Sequence, residues 1–342
     1  MADCPYTFAY GASLIFDAGE VWGQAREPVL RRMPDGSLLC LHYSGGPREP
    51  DDRNVVLVTR SHDDGTTWTP AEVLFAHPTR AVWATELFTE SGVPCLFVHT
   101  FDAASHYLEL KTFRSFSRDA GQTWSEPVSL PGGASGVSMR QGIVLRDGAW
   151  VFPIYWQEAL SGWSWQKTGP EYQPHPQWRF ASGVLRSDDR GRSFTLHGNL
   201  RAGFGLWEPN VIEAAPDRLI MLIRASGQGT LYRADSTDGG RTWSVPYSTG
   251  LANPGTKIAL LALGDHLVLV NNAHARERTH LSVWTSADGG DTWQRKLDVA
   301  APEDRLFYPH AFADPSREAL YVACEDGKRH FLTKIPFADI LR

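Results

Sequence analysis

The sequence predicts an all-β protein, a six-bladed β-propeller, from three observations. An octet of the form Ser-x-Asp-x-Gly-x-Thr-Trp recurs five times, at 61–68, 117–124, 187–194, 236–243 and 286–293, with Ser193 and Phe194 closing the third copy instead of Thr and Trp. Before each copy an apolar segment with a polar opening is followed, after a turn, by a second apolar segment. The 31 glycines, 22 prolines and 13 tryptophans, with few long helical patterns, fit many short strands and turns. A repeat of this kind can keep the 342 residues in one unit, so a single propeller domain over 1–342 is expected.

The octets have the chemistry of a hairpin turn. The Asp carboxylate can accept bonds from its own turn backbone, the Gly supplies positive φ, and the closing ring is large enough to bury between units. Each octet offers too few carboxylates at ligand spacing for a calcium loop. They are expected on the outer edge, away from any chemistry.

Taken in order, the polar openings are Arg26–Leu30, Thr85–Phe88, Arg140–Leu145, Glu208–Ile212 and Lys257–Leu261. A sixth, Tyr308–Phe312, is followed by the strand-like runs 319–323 and 330–335 but by no octet. The run Ala12–Phe16 near the N-terminus is expected to supply the strand this last unit lacks and so close the ring, which removes free sheet edges. In a propeller the first strand of each blade lines the central channel, so the six openings should converge on one rim. The second strands should end nearby, at Tyr43, His99, Tyr155, Arg224 and Asn272. An insertion in the third unit, 156–178, carries Trp163, Trp165, Tyr172 and His175 and reads either as a binding lid or as packing across the rim.

Composition narrows the partners. A formal charge of -6 gives no general attraction to nucleic acid or to an anionic membrane, and no apolar run reaches spanning length. The first residues lack the basic and apolar regions of a signal peptide, so a cytoplasmic location is expected, or a secreted one if a leader has been removed. Cys4, Cys40, Cys95 and Cys324 are far apart and match no metal spacing, and three read as buried thiols. No metal or organic cofactor is expected.

The octets and the order of units make the chain resemble the sialidase (neuraminidase) superfamily over roughly residues 20–325, where such octets are called Asp-boxes or bacterial neuraminidase repeats. The resemblance implies an exo-glycosidase that removes a terminal acidic sugar from a glycan. Arg26-Glu27-Pro28 stands where the family has Arg-Ile-Pro, so Arg26 would bind the substrate carboxylate, and Asp51 or Asp52 would be the acid/base. Glu208, Glu213 and Arg224 reproduce the family's central order, with Glu208 as base toward a tyrosine and Arg224 as the second carboxylate clamp. Tyr308 would be the nucleophile and Arg276 or Arg278 the third arginine, while Arg140 and His310, near inner-strand openings, are further candidates to bind substrate. The chemistry is coherent, since a planar guanidinium can hold both carboxylate oxygens. A tyrosine avoids the repulsion an anionic sugar would exert on a carboxylate nucleophile, and a covalent intermediate of this kind retains configuration. Two other readings use the same residues: a propeller polysaccharide lyase with Tyr/His chemistry beside a uronic acid, or a glycan-binding propeller without turnover.

Overall fold

The computed structural model describes residues 4–105, 109–131, 134–159 and 178–342, so Trp163, Trp165, Tyr172 and His175 of the insertion lie outside the described residues. Six antiparallel sheets form the blades of a propeller. Their innermost strands are Ala25–Arg32, Ala81–Phe88, the pair Ser138–Met139 and Ile143–Val144, Leu206–Ala215, Ala259–Leu263 and Phe307–Asp314. Contacts between neighbouring blades run round the ring, and the first meets the last.

Burial follows position within the blade. The second strand of the first blade, Leu38–Ser44, is buried throughout, whereas the outermost, Glu72–Phe75, is half exposed. A second strand has a neighbouring blade on each face, so its sequence is a continuous apolar run with no alternation. Ser13–Asp17 pairs with Arg329–Pro336 as the outer strand of the sixth blade, and this is the closure the sequence predicts. Two details differ from expectation. The inner strand of the third blade breaks around Arg140, Gln141 and Gly142, giving that sheet a fifth segment. In the second blade the strand already starts at Ala81, so Thr85 is no opening: it is buried in mid-strand and its hydroxyl meets His99 Nε2 at 2.9 Å.

All five octets join third strands to fourth and share one bonding pattern. In the first, Asp63 accepts from the Thr67 amide (2.8 Å), the Thr67 hydroxyl (2.6 Å) and the Ser61 hydroxyl (2.8 Å). Gly65 has φ +85, and a Cβ there would lie 2.4 Å from Leu332 of the preceding blade, so both conformation and space demand glycine.

The octets also receive a cation from the blade before. Arg60 donates to the carbonyls of Ala120 (2.9 Å) and Gly121 (2.7 Å), Arg114 to Gly191, Arg186 to Gly239 (2.6 Å), Arg233 to Gly290, and Lys334 of the sixth blade to Asp64 of the first (3.0 Å). The four arginines stand one or three residues before an octet Ser, on one face of their strands. Thr285 and Val283 hold the matching positions in the fifth blade, whose neighbour has no octet to brace.

Three inner strands share a feature that shapes the rim. Glu27, Glu208 and Tyr308 have φ of 48°, 44° and 52°, each is followed by a proline, and each sits at a register shift. A residue before proline is ordinarily driven to extended backbone, so three left-handed examples at equivalent places mark strain held by the surrounding fold. Such bulges re-aim side chains relative to a regular pleat.

Candidate active site

The inner-strand bulges bring Glu27, Glu208 and Tyr308 together around two arginines. Arg224 faces Trp207 across its blade and stacks on that indole, its ζ carbon 4.6 Å from the ring centroid. Its Nη1 donates to Glu208 Oε2 at 2.8 Å and to the Tyr308 hydroxyl oxygen at 2.7 Å. Glu208 and Tyr308 are therefore bridged by Arg224. Arg140 donates from Nη2 to Glu208 Oε1 at 3.0 Å and to Tyr155 at 3.2 Å, and is paired with Glu27 through both nitrogens.

These contacts set the protonation states. Burial acts to raise the Glu208 carboxyl, but Arg224 and Arg140 outweigh it and hold the group below its usual value. Tyr308 is pushed up to about 12, first by burial and then by Glu208, against the opposing pull of Arg224 and Arg278. The site thus pairs an ionised carboxylate with a phenol that keeps its proton.

Sequence-predicted residues divide between this centre and elsewhere. Arg26 and Arg278 reach it: Arg26 is partly exposed and 3.3 Å from Glu325, and the Arg278 ζ carbon lies 4.9 Å from the Tyr308 ring centroid. Arg276 is exposed on the same loop, without a described side-chain contact. Arg140 is in the centre but buried, with both terminal nitrogens committed to Glu27, Glu208 and Tyr155. His310 is buried and its ring meets Arg31 Nη1 at 2.9 Å. Asp51 is bound by Arg53 at 2.8 and 3.1 Å, and Asp52 accepts the Ala103 amide at 2.8 Å. Glu213 accepts the Arg146 amide and lines a separate cavity with Glu90 and Phe312.

The structure adds Glu49 and Glu325, and brings in Lys257, expected from sequence only as an inner-strand opening. Glu49, two residues before Asp51, lies 3.7 Å from Arg26 and keeps 24% of its side chain exposed. Its carboxyl is pushed up to about 7, first by burial and then by the charge of Glu27, with Arg26 opposing. Glu325 is fully buried, accepts the Glu27 amide and pairs with Arg26, and burial drives its carboxyl up. It faces Phe307 as Arg224 faces Trp207, so the second-strand rule used for the other blades would have found it. Lys257, also buried, is 4.0 Å from Glu27 and 5.9 Å from the Tyr308 ring centroid. With Glu49 and Glu325 shifted toward their neutral forms, Arg26, Arg140, Arg224 and Arg278 leave the centre positively biased, while burial lowers the Lys257 amine toward its neutral form as well.

A six-bladed ring whose blades carry five such octets is a BNR-repeat propeller. The chain belongs to the BNR repeat-like domain family, whose model matches residues 36–318. Similar curated proteins include a sialidase of Bacteroides fragilis, 23% identical over 66% of this chain and 41% of its own, and a sialidase of Micromonospora viridifaciens, 25% identical over 86% and 48%. The chain therefore spans less than half the length of either. Among solved structures, a Hadza microbial sialidase superposes with a TM-score of 0.77 at 20% identity, over 96% of this chain and 69% of its own.

Proposed function

We propose that this protein is a retaining exo-glycosidase that hydrolyses a terminal acidic sugar, a sialidase in reaction type, with Tyr308 as nucleophile. The observation that carries this reading is the single Arg224 nitrogen shared by Glu208 and Tyr308. A substrate carboxylate drawn to Arg224, Arg26 and Arg278 would compete for that nitrogen and leave the ionised Glu208 to take the phenol proton. The Tyr308 oxygen then attacks the anomeric carbon while the aglycone oxygen leaves with a proton. In the second half, water attacks the same carbon as the Tyr308–carbon bond breaks; the water gives a proton to the carboxylate that protonated the aglycone, and the phenoxide recovers its proton from Glu208. Rim cations that pair with an anionic substrate favour this tyrosine over a carboxylate nucleophile.

Proton delivery falls to Glu49. Asp51 is committed to Arg53 and held in its ionised form, first by the hydrogen bonds from that side chain, whereas the Glu49 carboxyl beside Arg26 is pushed up to about 7, first by burial. A catalytic acid works best when its pKa lies near the working pH. The lyase reading gains no support from His42, His99 or His310, which are buried and held neutral, foremost by that burial.

The test is turnover of an aryl α-sialoside and of uronate oligosaccharides, following released aglycone and unsaturated product separately. Sialoside hydrolysis with retained configuration, lost in Tyr308→Phe, is expected. Full hydrolysis by Tyr308→Phe, or an unsaturated product from uronates alone, would overturn the reading.

A further inference from the structure

Beside Tyr308 opens a cavity of about 530 Å³ between the first, fifth and sixth blades. Its walls include Arg26, Arg278, Arg305 and Lys328, and among the described residues its only lining acid is Asp326. Asp326 is already neutralised: Arg329 reaches it at 2.8 Å, and it accepts from the Tyr6 hydroxyl (3.0 Å) and two backbone amides. Arg305 is exposed and, among the described residues, its guanidinium has no hydrogen-bond or ion-pair partner. The adjacent Asp304 is turned to the Thr7 amide at 3.0 Å. Among the described residues the Lys328 ammonium is tied only to the Gly23 carbonyl, which carries no charge to offset it. In a chain whose formal charge is -6, this concentration of cations is local.

One carboxylate needs Arg224 with Arg26 and Arg278, and it leaves Arg305 and Lys328 unused in a space of sugar-binding size. We infer that this basin is an anion subsite for a second negative group on the same glycan, either a sulfate ester or the carboxylate of a second acidic sugar. The inference rests on the proposed reaction for its substrate class, and the basin itself can be tested without turnover. Concave walls focus the field of their charges, so a second anion gains both in encounter rate and in residence.

The experiment compares kcat/KM for acidic-sugar oligosaccharides that differ only in one sulfate ester, and for a matched pair with and without a second acidic sugar. Isothermal titration with sodium sulfate, against sodium chloride at equal ionic strength, reads the basin directly. The wild type should favour at least one dianionic substrate by about 10-fold, and Arg305→Gln with Lys328→Gln should bring that ratio to within about 2-fold of unity, as expected when two rim charges supply the preference. Sulfate should bind the wild type more tightly than the double variant. Which pair shows the preference identifies the source of the anion. A ratio near one for both pairs, or a preference that survives the double substitution, overturns the inference. If no acidic glycoside is hydrolysed the proposed reaction fails, and sulfate binding lost in the double variant still supports the basin; equal sulfate binding by both proteins overturns it.

Discussion

Tyr308 and Glu49 are the two residues at which the proposed chemistry is most exposed to measurement. Tyr308→Phe deletes one oxygen in a buried site and keeps the ring against Arg224 and Arg278. It should lower kcat by at least about 10³-fold, the scale of losing a nucleophile, while the protein still binds an acidic sugar by calorimetry. Glu49 makes a pH prediction. Its carboxyl is pushed up to about 7, so the acid form dominates below that pH and disappears as the pH rises through it. Turnover of glycosides with poor leaving groups should therefore fall above about pH 7. Glu49→Gln should flatten that limb and slow such substrates by about 10²-fold or more, with smaller effects from Asp51→Asn. An unchanged alkaline limb in Glu49→Gln would return the acid role to the aspartates.

At the scale of elements, the octets are turns whose carboxylates belong to the fold. Asp63 and Asp119 are held down to about 2, first by the hydroxyls of Thr67 and Thr123. A folded pKa below the unfolded value of about 3.9 means a contribution to stability that is present above that value and lost as the pH falls toward 2. Thermal melts from pH 5 to 2 should fall along this window, and Asp63→Asn with Asp119→Asn should fall less steeply from a lower start. Asp238→Ala should cost on the order of 1 to 3 kcal/mol, the usual price of a structural turn, while kcat stays within about 2-fold of wild type. If melting temperature holds and turnover goes, the octets are not structural. The arginines that cross to the next octet belong to this scale too. Arg186 is buried and donates to Gly239 as well as pairing with Asp188 at 2.7 Å, so it joins two blades through one side chain.

For the whole molecule the decisive joint is the one between the first residues and the last. Ser13–Asp17 completes the sixth sheet, and Tyr6 and Phe8 pack on Phe331, with ring centroids 5.4 and 5.8 Å apart. Removing residues up to Asp17 would expose the edge at Arg329–Pro336 and uncover the Phe331 ring. Loss of the melting transition by on the order of 10 °C, with a smaller folded yield, is the expected result, since several kcal/mol of burial and pairing go at once. Fraying confined to the sixth blade would show instead that the ring does not depend on its closure.

The ring is legible in the chain alone: five octets, and polar openings in every unit but the second, are local patterns, and a sixth unit without an octet calls for a strand from elsewhere. Arg26, Glu208 and Tyr308 lie at the rim because strand starts in equivalent repeats converge, and Arg224 because its second strand ends there, whereas the choice of Arg278 over Arg276 is made only by the folded position of the Arg278 guanidinium over the Tyr308 ring. Tertiary structure alone decided which charges act. Arg140 and His310 look available in sequence, yet blade packing buries them against Glu27, Glu208 and Arg31. Asp51 and Asp52 are the obvious acids of their loop, but Asp51 is held by Arg53 and Asp52 accepts the Ala103 amide from the second blade, while Glu49 is left beside Arg26 with a carboxyl that burial and neighbouring charge have shifted. Periodicity records where a backbone goes. Protonation and availability depend on burial and on charges brought from other blades, and those distances exist only once the ring has closed.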